Sequence, residues 1–98
     1  MNTTPSWDAF IEFARGLAGK QLATYARGKP FTIQVVGDTI LYTPGATGAA
    51  RPQPRQRTEM CLELYEKTGS LNTHHYQKIT VNASYFLTVL RLYLASRP

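Results

Sequence analysis

A single cysteine, Cys61, stands in this chain of 98 residues, so no internal disulfide can staple it. A reducing compartment suits such a chain, and the sequence predicts a cytoplasmic protein. Long hydrophobic runs are missing too. The longest nearly apolar stretch, residues 85–94, is too short and too interrupted to cross a bilayer, so no membrane partner is expected. Residues 1–10 show neither the basic nor the apolar region of a signal peptide. Acidic groups are scarce: six Asp/Glu stand against eleven Lys/Arg, for a net charge of +5.

The scarce carboxylates do not converge. Asp8 with Glu12 and Glu59 with Glu63 are spaced four apart, as on solvated helix faces, and Asp38 falls in an expected turn. Hydrolysis at a metal needs acids that meet on the ion, and this pattern supplies none. His74 and His75 are adjacent, so they project in different directions, and no further ligand stands at metal spacing. Cys61 lies on an apolar helical stripe, where a free thiol behaves as a small buried hydrophobe. Residues 45–48, Gly-Ala-Thr-Gly, precede no Gly-Lys-Ser/Thr and so form no phosphate-cradling loop. The expectation is a protein that is not an enzyme and uses no metal or cofactor.

What is present points to one small domain over residues 1–98. A chain of this size buries little more than about 60% of its unfolded surface, which allows a single modest core. Thr4-Pro5 suits a helix start, and Trp7, Phe10, Ile11, Ala14, Leu17 and Ala18 recur at helical spacing. Leu22 and Tyr25 extend that pattern to a stop at Arg27-Gly28-Lys29-Pro30, with Gly16 and Gly19 as weak points. Residues 31–44 read as a hairpin about Gly37-Asp38, which puts Phe31, Ile33, Val35, Ile40 and Tyr42 on one face.

A second helix is expected from residue 54 or 55 to Thr68, stopped by Gly69, with Met60, Cys61, Leu64 and Tyr65 as its stripe. A connector anchored by Leu71, Tyr76 and Ile79 leads to a last helix capped by Thr80 or Asn82. The fold class is α+β, in the order α-β-β-α-α, with the hairpin packed against three helices.

The last helix is apolar over a wide arc, which suits a core helix or an oligomer contact. Leu92, Tyr93 and Leu94 are the residues expected in a homodimer. An interaction module using that helix is the alternative to the reading below.

The remaining stretch, residues 43–57, holds three Pro, two Gly and three Arg, with no acid and nothing large and apolar. A flexible surface loop over 44–54 is expected from it. Arg51, Arg55 and Arg57 suit bidentate phosphate contacts. Arg55 and Arg57 also enter a helix start, where free N–H groups attract anions and cations oppose the macrodipole. The sequence therefore predicts a nucleic-acid-binding protein, duplex DNA before RNA. Its contacts would be Arg51, Arg55 and Arg57, with Arg27 and Lys29 nearby. A helix-turn-helix variant would add Ser84, Thr88 and Arg91 from the last helix, although the connector is long for that motif. The deciding feature is whether Arg15, Lys20, Arg27 and Lys29 share a face with the 51–57 stretch.

Overall fold

In the computed structural model, which describes residues 4–96, Ser6 caps the first helix, α1 (Trp7–Leu17). Its Oγ accepts from the Ala9 N–H at 3.1 Å, so the helix starts two residues later than the Thr4-Pro5 signal suggests. Trp7, Phe10, Ile11 and Ala14 are buried. The helix stops at Leu17 and does not reach Tyr25. Gly19 takes φ +83° and donates its N–H to the Ile33 carbonyl at 3.1 Å, which hands the chain to the sheet. Leu22, which fitted the helical pattern, instead forms β1 with Ala23, and the two pair with Phe31 and Pro30.

The hairpin has the register the sequence predicts. In β2 (Pro30–Val36) and β3 (Thr39–Pro44), Val36 faces Thr39, Val35 faces Ile40, Gln34 faces Leu41 and Ile33 faces Tyr42. Gly37 supplies the positive φ that the two-residue turn requires. Phe31, Ile33, Ile40 and Tyr42 are buried and Val35 is half-buried.

The stretch after the hairpin departs from expectation. Arg51–Gln53 form β4, antiparallel to β3, so the sheet runs β1-β2-β3-β4. Of the expected loop, residues 45–52 are exposed, but of these only 45–50 lie outside a strand. Gln53 is buried: its Nε2 donates to Thr58 Oγ1 at 2.8 Å, and its Oε1 accepts from Thr80 Oγ1 at 2.6 Å. An apolar-pattern reading has no signal for such a residue, because here the core side chain is an amide satisfied by two hydroxyls.

α2 (Arg55–Thr68) ends at Gly69 in the left-handed region, as expected. Glu63 and Lys67 pair at 3.2 Å. The buried side of α2 is rotated from the expected stripe: Thr58, Cys61 and Leu62 are buried, while Met60 is 41% exposed. One helical turn, α3 (Thr73–Tyr76), is capped by Asn72 and buries Tyr76, whose hydroxyl donates to the Ser70 carbonyl at 2.7 Å.

α4 (Ala83–Ser96) is the core helix: Phe86, Leu87, Val89 and Leu90 are buried. Phe86 packs on Phe10 and Tyr76, with ring centroids at 5.3 and 6.0 Å. Tyr93 is buried and Leu94 packs against the core, which leaves Leu92, 38% exposed, as the outward member of the expected dimer trio. The molecule is a small α+β domain in the order α-β-β-β-β-α-α-α. Among the described residues, no helix is long and apolar enough to cross a membrane.

The core sets a pH limit. Burial pushes the Cys61 thiol up to about 12 from 9.0, and burial together with Cys61 and Tyr65 pushes the Tyr76 phenol up to about 12 from 10.0. Burial raises Tyr42 as well, with Cys61 adding to the shift. The unfolded chain releases these protons first, so their stabilisation is whole below about pH 9 and is lost as the pH climbs toward about 12. Urea midpoints should therefore fall with rising alkalinity from about pH 9. Cys61→Ala should remove the part of the fall that begins lowest. A midpoint constant to about pH 11 would contradict this placement of the thiol and phenols.

Candidate functional site

Residues 24–29 form a tight turn that closes on itself. The Thr24 N–H donates to the Lys29 carbonyl at 2.9 Å, and the Gly28 N–H donates to the Thr24 carbonyl at 2.8 Å. The Lys29 N–H donates to Thr24 Oγ1 at 3.0 Å. The turn is also tied to α4, because the Tyr25 N–H donates to Thr88 Oγ1 at 3.2 Å. Thr88 Oγ1 in turn donates to the Ser84 carbonyl at 2.9 Å. The Arg91 guanidinium lies over the Tyr25 ring, 3.9 Å from its centroid. Such a contact contributes about 0.5–1 kcal/mol near a surface.

Between this turn, the start of β4, the α3 region and α4 opens a cleft of about 670 Å³. Its size falls within the range typical of ligand sites. Arg27 and Lys29 come from the turn, Arg51 from β4, and Ser84, Thr88 and Arg91 from α4. Among the described residues, no carboxylate lines it. Four of the six acids are paired elsewhere: Glu12 with Arg15, Glu63 with Lys67, and Asp38 and Glu59 with Arg55. Among the described residues, no ion pair joins a carboxylate to Arg27, Lys29, Arg51 or Arg91. Four unneutralised cations in one concavity focus a positive potential there.

Six of the residues singled out from sequence thus meet in one place, although they span positions 27 to 91. Arg57 lies in a smaller hollow of about 340 Å³ with Lys78, and this hollow adjoins the cleft at Gln77 and Val81. Asn82 borders the same hollow, buried, with neither side-chain polar atom paired within the protein.

Arg55 does not join them. It points to the hairpin turn, with its guanidinium 3.3 Å from Glu59 and 3.8 Å from Asp38, over the Trp7 ring at 4.9 Å. Those carboxylates offset the cation at the helix start, so no outside anion is needed to relieve it. Of the four earlier basic residues, Arg27 and Lys29 share the cleft with Arg51, while Lys20 does not line it and Arg15 is paired with Glu12 on α1.

Thr88 is present but differently employed. It is buried, and its hydroxyl already serves the turn and its own helix. α4 accordingly cannot offer Thr88 to a groove as a recognition helix would. Ser84 remains exposed at the cleft.

Sequence reasoning missed Tyr25, Lys78, His74 and Gln77 as surroundings of the site. Tyr25 carried a signal, since it stands two residues before the basic Arg27-Gly28-Lys29 stretch, but the helical pattern absorbed it. His75 is held by Ser70, with Nδ1 and Oγ 2.6 Å apart. Among the described residues, no three His, Cys, Asp or Glu gather as a metal site would require.

The molecule is defined by this pairing of a small α+β domain with a basic, acid-free cleft. Compared with known proteins, the chain matches no family model, no curated protein and no solved structure.

Proposed function

We propose that this protein binds nucleic acid without catalysis, its cleft holding backbone phosphates. Arg27, Lys29, Arg51 and Arg91 supply charge, and Ser84 supplies a hydroxyl donor. Arg57 and Lys78 extend the track into the adjoining hollow. The observation that carries the reading is the convergence of four cations, unpaired with carboxylates, in one acid-free concavity. Three of the four are arginines, whose planar forks match phosphate oxygens. A second basic hollow beside the first favours an extended polyanion over a single small anion. Binding is favoured over chemistry because the cleft's titratable groups are these cations, Tyr25, Tyr85 and one histidine, His74, with no carboxylate to orient or pair with it. A reducing, cytoplasmic setting accords with the buried free thiol of Cys61. The apolar-surface alternative has less support, because Tyr93 and Leu94 pack inward.

Titration of labelled oligonucleotides at about 50 and 200 mM salt tests the proposal. Phosphate-led binding must weaken steeply over that range. Absence of binding at the lower salt, to duplex and single strand alike, overturns it.

A further inference from the structure

We infer that the strand in this cleft is single, and that one unpaired base stacks on Tyr25; this rests on the nucleic-acid reading above and adds the class of strand to it. Among the described residues, every other aromatic side chain is buried or half-buried, whereas Tyr25 is 72% exposed. It stands out by placement as well as by exposure. It lines the cleft that gathers Arg27, Lys29, Arg51 and Arg91. Its position is fixed, since its own N–H is bound to Thr88 and the turn that carries it is closed by three hydrogen bonds. The Arg91 guanidinium occupies one side of the ring, and the high exposure leaves the rest in solvent. A flat π surface of this kind, held among phosphate-binding cations, is how proteins grip single strands: the backbone follows the charge and a base stacks on the ring. Arg91 stiffens the ring from behind and adds its own charge to the track. Val81, 83% exposed where the two hollows meet, offers an apolar contact for the neighbouring sugar.

A duplex cannot use this platform. Its bases lie stacked on each other and present only their edges to the grooves. A base must be extruded to expose its face, at a cost of about a few kcal/mol. The geometry therefore reverses the duplex preference expected from the sequence. DNA and RNA strands share the chemistry named here, an unpaired base between phosphates.

The experiment compares three probes of equal length on the full chain: a single strand (as DNA and as RNA), its duplex, and a single strand of abasic sites that keeps every phosphate. The single strand should bind about tenfold or more tighter than the duplex. Tyr25→Ala should weaken it roughly 5- to 150-fold, the span of base–aromatic stacking, with little change in salt slope. Tyr25→Phe should bind as the parent does. The abasic strand should bind the parent weakly and should be indifferent to Tyr25→Ala. Salt-dependent binding that favours the duplex, or that Tyr25→Ala leaves unchanged, overturns the stacking inference while the phosphate reading stands. Loss of all binding by the parent overturns both. Melting curves of Tyr25→Ala should show a folded domain lowered only by the loss of the Arg91 contact, because the ring is exposed and the Thr88 bond uses the backbone N–H.

Discussion

Replacing Arg27, Lys29, Arg51 and Arg91 together with Gln should flatten the plot of log affinity against log salt by about 2.8, at about 0.7 per single-strand phosphate contact. For the parent, four such contacts alone weaken binding roughly 50-fold between about 50 and 200 mM salt. The variant should lose that dependence, and at the lower salt it should bind far more weakly than the parent. The loss should be similar for all base sequences, since phosphate contacts position a strand without reading it. The fold should persist: Arg27, Lys29 and Arg51 are exposed, and Arg91 contributes one surface cation–π contact. Arg55→Gln is the matched control. Its charge is held by Asp38 and Glu59 outside the cleft, so its slope should equal the parent's. A quadruple variant with an unchanged slope would place the contacts elsewhere, and an Arg55→Gln variant with a reduced slope would show that its ion pairs open to bind.

Gln53→Leu should destabilise the domain by about 2–6 kcal/mol. The substitution keeps an apolar stem of similar size but strands two buried hydroxyls. Thr80 Oγ1 loses the Oε1 acceptor to which it donates, and Thr58 Oγ1 loses the Nε2 donor. Each stranded group costs about 1–3 kcal/mol. Thr80 also accepts from the Asn82 N–H at 3.0 Å, so the damage reaches the start of α4. Against a usual total of about 5–15 kcal/mol, this is a severe loss, readable as a lower urea midpoint. Gln53→Glu makes a sharper comparison: it keeps the acceptor for Thr80, removes the donor to Thr58 and buries a charge. A melting temperature unaffected by Gln53→Leu would mean that the amide is dispensable and that β4 is held by its backbone alone.

The parts of this fold legible in the sequence are those that repeat a local rule. Gly37-Asp38 between two β-rich runs fixed the hairpin register, and Gly69 fixed the end of α2, because a positive φ there has few other solutions. The illegible parts depend on partners far along the chain. Leu22 fits a helical period, and only pairing with β2 makes it a strand residue. Gln53 looks like loop until Thr58 and Thr80 flank it. The same divide runs through the site. Charge identified Arg27, Lys29, Arg51 and Arg57, since cations on polar segments must face outward, and Arg91 was legible as part of the narrow polar strip of the last helix. Charge could not separate Arg55 from its neighbours, because one of its partners, Asp38, lies in the hairpin turn far back along the chain. Nor could it find Tyr25, whose exposure follows from α1 ending early at Leu17.

The sheet carries a further consequence, for how the molecule behaves in a crowd of its own copies. An open sheet invites other chains to add strands wherever a long edge lies bare. Here both borders are stubs. One is the two-residue β1, and the other is the three-residue β4, with Pro52 lacking an N–H at its centre and the charged Arg51 at its entry. β3 lies between β2 and β4, whereas β1 covers only Pro30 and Phe31 of β2, and beyond them the Gly19 N–H takes the Ile33 carbonyl. Strand-by-strand growth into fibrils therefore finds little template on the β4 side. Pro52, which first reads as a mark of a structureless loop, helps keep a β-rich segment from polymerising.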